Sequence, residues 1–295
     1  MIILTVVVCL FAERFLGSLH VLRSFTWLET YSHFILKQFT SPLARKGKIP
    51  VLLIVLPPAI IVQLVDNQLA QLFFPLELLF GIGILLYSLG PQPFYDRYKE
   101  LCDLKSQDTH VCSHQYAEQV LNRPLSSSEK NALPQVIAQS LFAVSNDRLF
   151  APIFWFVLAG PLGAVLFRCT SQLYFAAQKT ESAQNQYHNI AAATSTLYAI
   201  LNWAPSRLSA FGFAAMGDFR AAIRNYPPIK NVLFHIDQKG NDLLLSSVGS
   251  AAINLSDNAG KTTVDKIPEA LAILRRNTQL WMGAIAALTL AGWIS

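Results

Sequence analysis

The stretch LFAPIFWFVLAGPLGAVLF, residues 149–167, determines the class of this chain, because its nineteen residues include no charged side chain. Arg148 precedes the stretch and Arg168 follows it. A helix rises about 1.5 Å per residue, so one of this length can cross a hydrocarbon core of about 30 Å. The stretch therefore predicts a membrane-spanning helix.

The composition fits a protein with several such helices. Of the 295 residues, 53% are hydrophobic and only 14% are charged, whereas ordinary soluble domains carry about 25% charged residues. The formal net charge of +5 requires no nucleic acid, because basic cytoplasmic loops beside anionic lipid explain it. The predicted partner is therefore the lipid bilayer.

Apolar segments separated by polar loops predict an all-α, polytopic membrane protein with about four to six membrane segments. A tight turn is expected at residues 66–68, between the second and third segments. The first segment is short and the fifth is less hydrophobic, so each of them either spans the membrane, lies in the interface or is re-entrant. The segments are residues 2–12, 50–65, 69–90, 149–167, 190–217 and 277–295.

Loop charge predicts the orientation, since cytoplasmic loops carry an excess of Lys and Arg. Loops 13–49, 91–148 and 218–276 are then cytoplasmic and helical in part, and residues 1–295 form a single membrane domain. In the loop 91–148, Ser126 and Glu129 are spaced as a capping box. Residues 237–263 are rich in Asp, Asn, Gly and Ser, which predicts a mobile loop.

The fifth segment carries the first candidate site, in the run NWAPSRL at residues 202–208. An arginine at mid-bilayer costs about 2.5 kcal/mol or more, so Arg207 should meet a partner, a polar cavity or the headgroups. Pro205 is expected to break the helix. One interpretation is a broken helix that presents Arg207 to an anionic group. The other is an interfacial anchor in which Arg207 reaches lipid phosphate.

Charged residues near other segments are further candidates. Asp147 and Arg148 either bind a ligand or form an ordinary helix boundary, and Arg168 either binds a ligand or is an anchor that reaches the headgroups. Glu77, inside the third segment, is either a functional carboxylate or lies near one membrane face. The run HVCSH at residues 110–114 lacks a second pair of ligands, so a solvated loop is preferred and no metal site is predicted.

Several runs, spread over the full length of the chain, together resemble the AmpE family of bacterial inner-membrane proteins. The runs are ERF at 13–15, NDRLFAPIFW at 146–155, GPLGA at 160–164, FR at 167–168, LNWAPSRL at 201–208 and MGDF at 216–219. AmpE proteins are in turn similar to the CobD/CbiB enzymes of cobalamin synthesis. Those enzymes use ATP to form an amide between a corrinoid carboxylate and an aminopropanol side chain.

This sequence departs from the CobD/CbiB enzymes at acidic positions. Asn202 stands where the motif D-W-x-P-x-R-L has its acid, and only Asp147 remains of the stretch E-N-x-x-D-G. The stretch N-T-x-D-S is replaced by RCTSQL at residues 168–173. Because magnesium prefers carboxylate oxygens, these losses favour a role that is not enzymatic. Mg–ATP is a cofactor only if the enzyme interpretation holds, and otherwise none is expected.

The resemblance therefore implies a multi-pass protein of the bacterial inner (plasma) membrane that links cell-wall recycling to β-lactamase induction. Its partner would be the pathway of a cytoplasmic amidase that processes anhydro-muropeptides, and its oligomeric state is left open. We expect a pocket for an anionic ligand, such as a nucleotide, a muropeptide or a lipid phosphate. The predicted lining residues are Arg207, Asp147, Arg148, Arg168, Asn202, Trp203 and Asp218. The alternatives are an ATP-dependent amide-forming enzyme resembling adenosylcobinamide-phosphate synthase and, third, a transporter of cell-wall fragments.

Overall fold

Helices account for all the regular structure in the part of the chain that the computed structural model describes. The described residues are 2–15, 25–38, 48–89, 118, 133–178, 190–224, 236–255 and 266–292. The helices are α1 (Ile2–Phe15), α2 (Thr26–Gln38), α3 (Lys48–Leu72), α4 (Phe74–Ser88), α5 (Leu133–Ser145), α6 (Ala151–Gln178), α7 (Ala191–Met216), α8 (Phe219–Arg224), α9 (Gln238–Ala252) and α10 (Lys266–Leu290). A π-helical turn, Asn146–Phe150, joins α5 to α6. The all-α prediction is confirmed for these ranges. The predicted capping box and residues 110–114 lie outside them.

Two helical stretches among the described residues are long and apolar enough to cross a membrane. They are α3 and Val136–Gln178, which includes all of α6, and the shorter apolar helices are Ile2–Ala12 and α4. α3 exposes a series of large apolar side chains, as a helix in contact with lipid does. They include Leu52, Leu53, Leu56, Ile60, Ile61 and Leu64. The two long apolar stretches support a membrane protein. The four to six segments and the multi-pass topology stay predictions.

The stretch 149–167 is helical but contains a kink. Ala159 and Gly160 leave the helical backbone conformation, and Gly160 has a φ of 62° and a ψ of −153°. Glycine adopts this positive φ without the steric cost that a Cβ brings. Pro161 follows, and it has no N–H to continue the hydrogen-bond ladder. The helix predicted over residues 149–167 is therefore present but kinked at this point.

The tight turn predicted at residues 66–68 is also wrong, because α3 continues through them. Gln63 Nε2 donates to Asn67 Oδ1 at 2.9 Å, a pair one helical turn apart. The chain turns instead at Phe73, which has extended backbone angles. Pro75 follows in the first turn of α4, where a proline is tolerated because that N–H has no helical partner.

The residues group into two compact units. The first is drawn from residues 1–92, 148–201 and 282–295, and the second from residues 93–147 and 202–281. In the first unit α6 packs against α3 and α4, and α1 packs against α4. In the second unit α9 packs against α5 and α8. The single domain expected over 1–295 stays a prediction.

The core of the second unit is built around the ring of Phe142. Phe142 is fully buried and its ring centroid lies 5.0 Å from that of Phe213. Gly249 of α9 lies so close beneath the Phe142 ring that a Cβ at this position would overlap ring atoms. A glycine thus lets α9 approach the aromatic side chain of α5.

Helix α9 corrects the prediction of a mobile loop for residues 238–252, whereas residues 256–263 of that prediction lie outside the described residues. Its apolar residues recur at helical spacing and are buried. They are Leu244, Leu245, Val248, Ala251 and Ala252. This docked face outweighs the Asp, Asn, Gly and Ser residues that suggested a loop.

Candidate functional site

Helix α7 continues through Pro205, so the broken helix predicted there is wrong. A proline leaves the carbonyl four residues earlier without its backbone donor. That carbonyl belongs to Leu201, and Trp155 Nε1 donates to it at 2.9 Å. The indole of Trp155 therefore satisfies the group that Pro205 frees, and the helix runs on toward Arg207.

Buried amide and hydroxyl side chains from α7, α9 and the π-helical turn form a hydrogen-bonded network. Asn146 Nδ2 donates to Asn202 Oδ1 at 2.7 Å, and Asn202 Nδ2 donates to Gln238 Oε1 at 3.2 Å. Ser209 Oγ donates to Asn146 Oδ1 at 2.8 Å. These residues are almost fully buried, so their polar groups meet one another instead of water. We name the following set the amide network: Asn146, Asn202, Ser206, Ser209, Gln238 and Asn241.

Arg207 lies at the end of the amide network, where it is half-buried. Its Nη1 donates to Asn241 Oδ1 at 2.6 Å, to the Trp203 carbonyl at 2.9 Å and to Ser206 Oγ at 3.1 Å. The guanidinium carbon also lies over the Trp203 ring, 4.6 Å from its centroid. These contacts fix the orientation of the guanidinium, and the residue as a whole is partly exposed.

Helix α9 contributes residues that the sequence analysis did not place in the site. Gln238 Nε2 donates to the half-buried Asp242 Oδ1 at 2.8 Å, and Asn241 Nδ2 donates to Gln238 Oε1 at 3.5 Å. The three residues were missed because this region was taken as a loop. The sequence did hold a signal for the α7 side of the network. Asn202, Ser206 and Ser209 recur there at i, i+4 and i+7, so they share one polar helix face.

The structure brings together three of the predicted site residues, namely Asn202, Trp203 and Arg207. Asp147 is buried in the π-helical turn, directly after the network residue Asn146. Such turns are frequent at functional sites. Arg148 is half-buried and belongs to the first unit, as does Arg168.

Arg168 is buried within the first unit, which argues against its role as a headgroup anchor. Only 5% of its surface is exposed, and its guanidinium carbon lies 5.5 Å from the centroid of the Phe25 ring. The centroid of the Phe25 ring lies 4.7 Å from the centroid of the Tyr87 ring. The Tyr87 hydroxyl accepts a hydrogen bond from Trp27 Nε1 at 2.6 Å. Arg168 therefore belongs to an aromatic cluster, and a pocket shared with Arg207 stays a prediction.

Asp218 caps helix α8. Its Oδ1 accepts from the Ala221 N–H at 3.0 Å and its Oδ2 accepts from Asn254 Nδ2 at 3.2 Å. These bonds lower the pKa of Asp218 below its ordinary value, the N–H of Ala221 having the largest effect. Helix capping thus explains this aspartate without a ligand, and ligand binding by Asp218 stays a prediction.

We expect Asp218→Asn to remove a pH-dependent part of the stability. Because the folded-state pKa is lowered, the carboxylate stabilises the fold above its unfolded-state pKa of about 4. This contribution is lost as the pH falls through the folded-state pKa. Thermal unfolding in detergent should show the wild type above the variant at neutral pH and the two converging in acid. A difference that is constant with pH would contradict this.

The family comparison covers these same motifs. A family model described as "CobD/Cbib protein" matches residues 6–233. The chain is 30% identical over 105 residues to the cobalamin biosynthesis protein CobD of Stutzerimonas stutzeri (strain A1501), which is 36% of this chain and 34% of the relative. The chain therefore spans about a third of the length of that curated relative. No solved structure matches the chain.

Proposed function

This chain belongs to the CobD/CbiB family, and from that premise we propose that it acts in cobalamin biosynthesis, with Arg207 binding an anionic group of the substrate. The proposal is supported by the family match, which includes both the NWAPSRL run and the π-helical turn. It is also supported by the name of the relative, a cobalamin biosynthesis protein. We choose Arg207 because its hydrogen bonds to Asn241, Trp203 and Ser206 fix the guanidinium in one orientation.

The fixed guanidinium of Arg207 suits a carboxylate or a phosphate. Arginine binds such groups through a planar fork of N–H donors, and a fork that is already oriented loses less entropy on binding. Asn241 orients this fork because its Oδ1 accepts from Nη1, while Gln238 and Ser206 hold the Asn241 amide. The amide network thus serves as a rigid support beneath a positively charged binding group.

The amide network by itself fits a magnesium ion poorly. Hard cations prefer carboxylate oxygens, and the amide network presents carboxamide and hydroxyl groups in their place. Within the part of the chain that the structure describes, no three His, Cys, Asp or Glu side chains come together. Amide formation from a carboxylate and an amine must transfer the departing oxygen to a reagent such as ATP. The role we propose for Arg207 is to bind the substrate.

A second candidate is an AmpE-type regulatory protein that links cell-wall recycling to β-lactamase induction. One observation favours it, namely the neutral Asn202 side chain at the centre of the network, where the resemblance to the enzymes implies an acid. In this proposal Arg207 binds an anionic ligand without turnover. The comparisons name cobalamin biosynthesis and not this role, so it ranks second.

A binding measurement tests the role of Arg207. The ligands are a corrinoid with a free carboxylate, aminopropanol phosphate and ATP, each titrated into the full-length protein in detergent. We expect Arg207→Ala to weaken binding by about tenfold to a hundredfold, because hydrogen bonds to charged groups contribute about 1.5–3 kcal/mol. Lys239→Ala is the matched control, since Lys239 is an exposed cation on α9.

Three outcomes distinguish the proposals. If Arg207→Ala binds like the wild type and the Lys239→Ala control, the Arg207 site is wrong. Restored cobalamin synthesis in a bacterium lacking its own CobD/CbiB enzyme would support the first proposal. Binding through Arg207 without such restoration would support the second.

A further inference from the structure

Helix α8 presents an apolar pair and a basic pair of side chains to the outside. Phe219 and Ile223 are 46% and 54% exposed, and they lie one helical turn apart. Arg220 and Arg224, also exposed, form a second pair one turn apart beside them. Ala222 is fully buried, so the helix has an inner side and an outer side although it is only six residues long.

This outer side is held in place by the rest of the second unit. The Asp218 N–H donates to the Ala252 carbonyl at 2.9 Å, and the Ala222 N–H donates to the Asp218 carbonyl at 2.9 Å. Gly217, just before the helix, lies so close to α9 that a Cβ there would crowd Ala252. Helix α8 therefore presents its four outer side chains from a fixed base on α9.

Helix α7, which leads into α8, also exposes large apolar side chains. Leu208 and Phe211 are exposed, one turn apart on α7. Arg276 is exposed and its Nη1 lies 3.5 Å from the carbonyl of Met216, the last residue of α7. We name the four exposed side chains of α8 the α8 surface, and they are Phe219, Arg220, Ile223 and Arg224.

We propose that the α8 surface lies on an anionic lipid bilayer, with Phe219 and Ile223 in the interface and the arginines at the phosphates. Large apolar side chains next to Arg are the pattern of helices that lie in the membrane interface. Arginine carries the charge that complements anionic headgroups. The chain also has apolar helices that favour a membrane location for it. This inference does not depend on the ligand proposed for Arg207.

A second copy of the chain fits the α8 surface less well. Stable dimers bury about 800 Å² on each partner, and their centres are depleted in charged residues. Two apolar side chains beside two arginines match neither property, and like charges would face each other across a twofold axis. A lipid surface accepts both kinds of side chain at once.

Lipid-quenching of a probe on α8 tests the proposal in the full-length protein. The structure buries Cys9 and Cys169, so Cys102 and Cys112 are replaced by Ser and a fluorophore is attached through Ile223→Cys. The protein is placed in nanodiscs that contain nitroxide-labelled lipid. One set of discs is phosphatidylcholine alone, and the other is mixed with anionic phosphatidylglycerol. Arg220→Gln/Arg224→Gln is compared in both.

We expect strong quenching in the anionic discs, and a ratio of lipid-bound to unbound probe that falls roughly tenfold or more in the double variant. Each arginine near such a surface contributes a factor of about five. High salt should lower the ratio as well. Both substituted arginines are exposed, so circular dichroism should show an unchanged fold.

Two results would overturn the proposal. Equal quenching in both lipids, unaffected by the arginine substitutions, would mean that the contact does not depend on anionic lipid. If the probe is quenched in neither kind of disc, α8 does not lie on lipid, and either another protein surface or water covers it.

Discussion

Asn202→Asp is expected to destabilise the protein by about 3–5 kcal/mol at neutral pH, because it places an uncompensated charge in a buried site. Asn202 is 1% exposed. Its Nδ2 donates to Gln238 Oε1 at 3.2 Å, and in the variant an anionic oxygen would face that acceptor. The Asn146 amide would still donate to the other oxygen, but one neutral hydrogen bond does not replace the hydration of a carboxylate.

The destabilisation by Asn202→Asp should depend on pH. Burial raises the pKa of a carboxyl group above its unfolded value of about 4. Below that value the group is neutral in both states and can donate a proton to Gln238, so the variant should resemble the wild type. Above it the cost grows by about 1.4 kcal/mol per pH unit until the folded-state pKa is reached. Denaturant unfolding in detergent between acid and neutral pH measures this slope.

Asn202→Leu is the control for Asn202→Asp, since it removes both hydrogen bonds of the side chain without adding a charge. Its cost should be constant over the same pH range. A variant Asn202→Asp that is as stable as the wild type at neutral pH would contradict the buried, neutral network. Stabilisation of that variant by magnesium, absent in the wild type, would mean that a single acid restores a cation site.

The sequence predicts the helical class and the part of the site that lies on α7. The charge-free stretch 149–167 and the run NWAPSRL carry both predictions, and Asn202, Trp203 and Arg207 do lie together. These signals are local, since they depend on residues within one helix. The prediction of Arg207 needed only the high cost of an arginine between apolar helices.

The errors arise where contacts with distant residues stabilise a helix that the local sequence predicts to end or to be absent. Pro205 ends a helix in isolation, yet the indole of Trp155, fifty residues earlier, takes the carbonyl that the proline frees. In the same way, the polar start of α9 reads as a loop until its amides meet Asn202 and Ser206 on α7. A polar helix face can be read from its period, but nothing local names the distant residues that bond to it, so single-sequence reasoning does not find those partners.

Gly249→Leu should also be strongly destabilising, by about 3 kcal/mol or more, because it overpacks the core of the second unit. A Cβ at position 249 would overlap the near end of the buried Phe142 ring. That ring cannot move aside easily, since it is fully buried and packs against Phe213 at 5.0 Å. Either α9 moves away from α5 or the ring leaves its rotamer, and each costs free energy.

Gly240→Ala is the matched control on the same helix, because nothing lies within 4 Å of a Cβ at that position. It should be neutral or stabilising by about 0.5–1 kcal/mol, since alanine favours helix over glycine. Similar unfolding free energies for Gly249→Leu and Gly240→Ala would contradict the close contact with Phe142.

A double variant identifies overpacking as the cause of the loss. Phe142→Ala alone should cost about 3–5 kcal/mol through the cavity it leaves. In Gly249→Leu/Phe142→Ala the new leucine can enter that cavity, so the double variant should be more stable than the sum of the two single losses. Additive losses, measured by denaturant unfolding in detergent, would mean that Gly249 is required for the backbone of α9 rather than for space beneath the Phe142 ring.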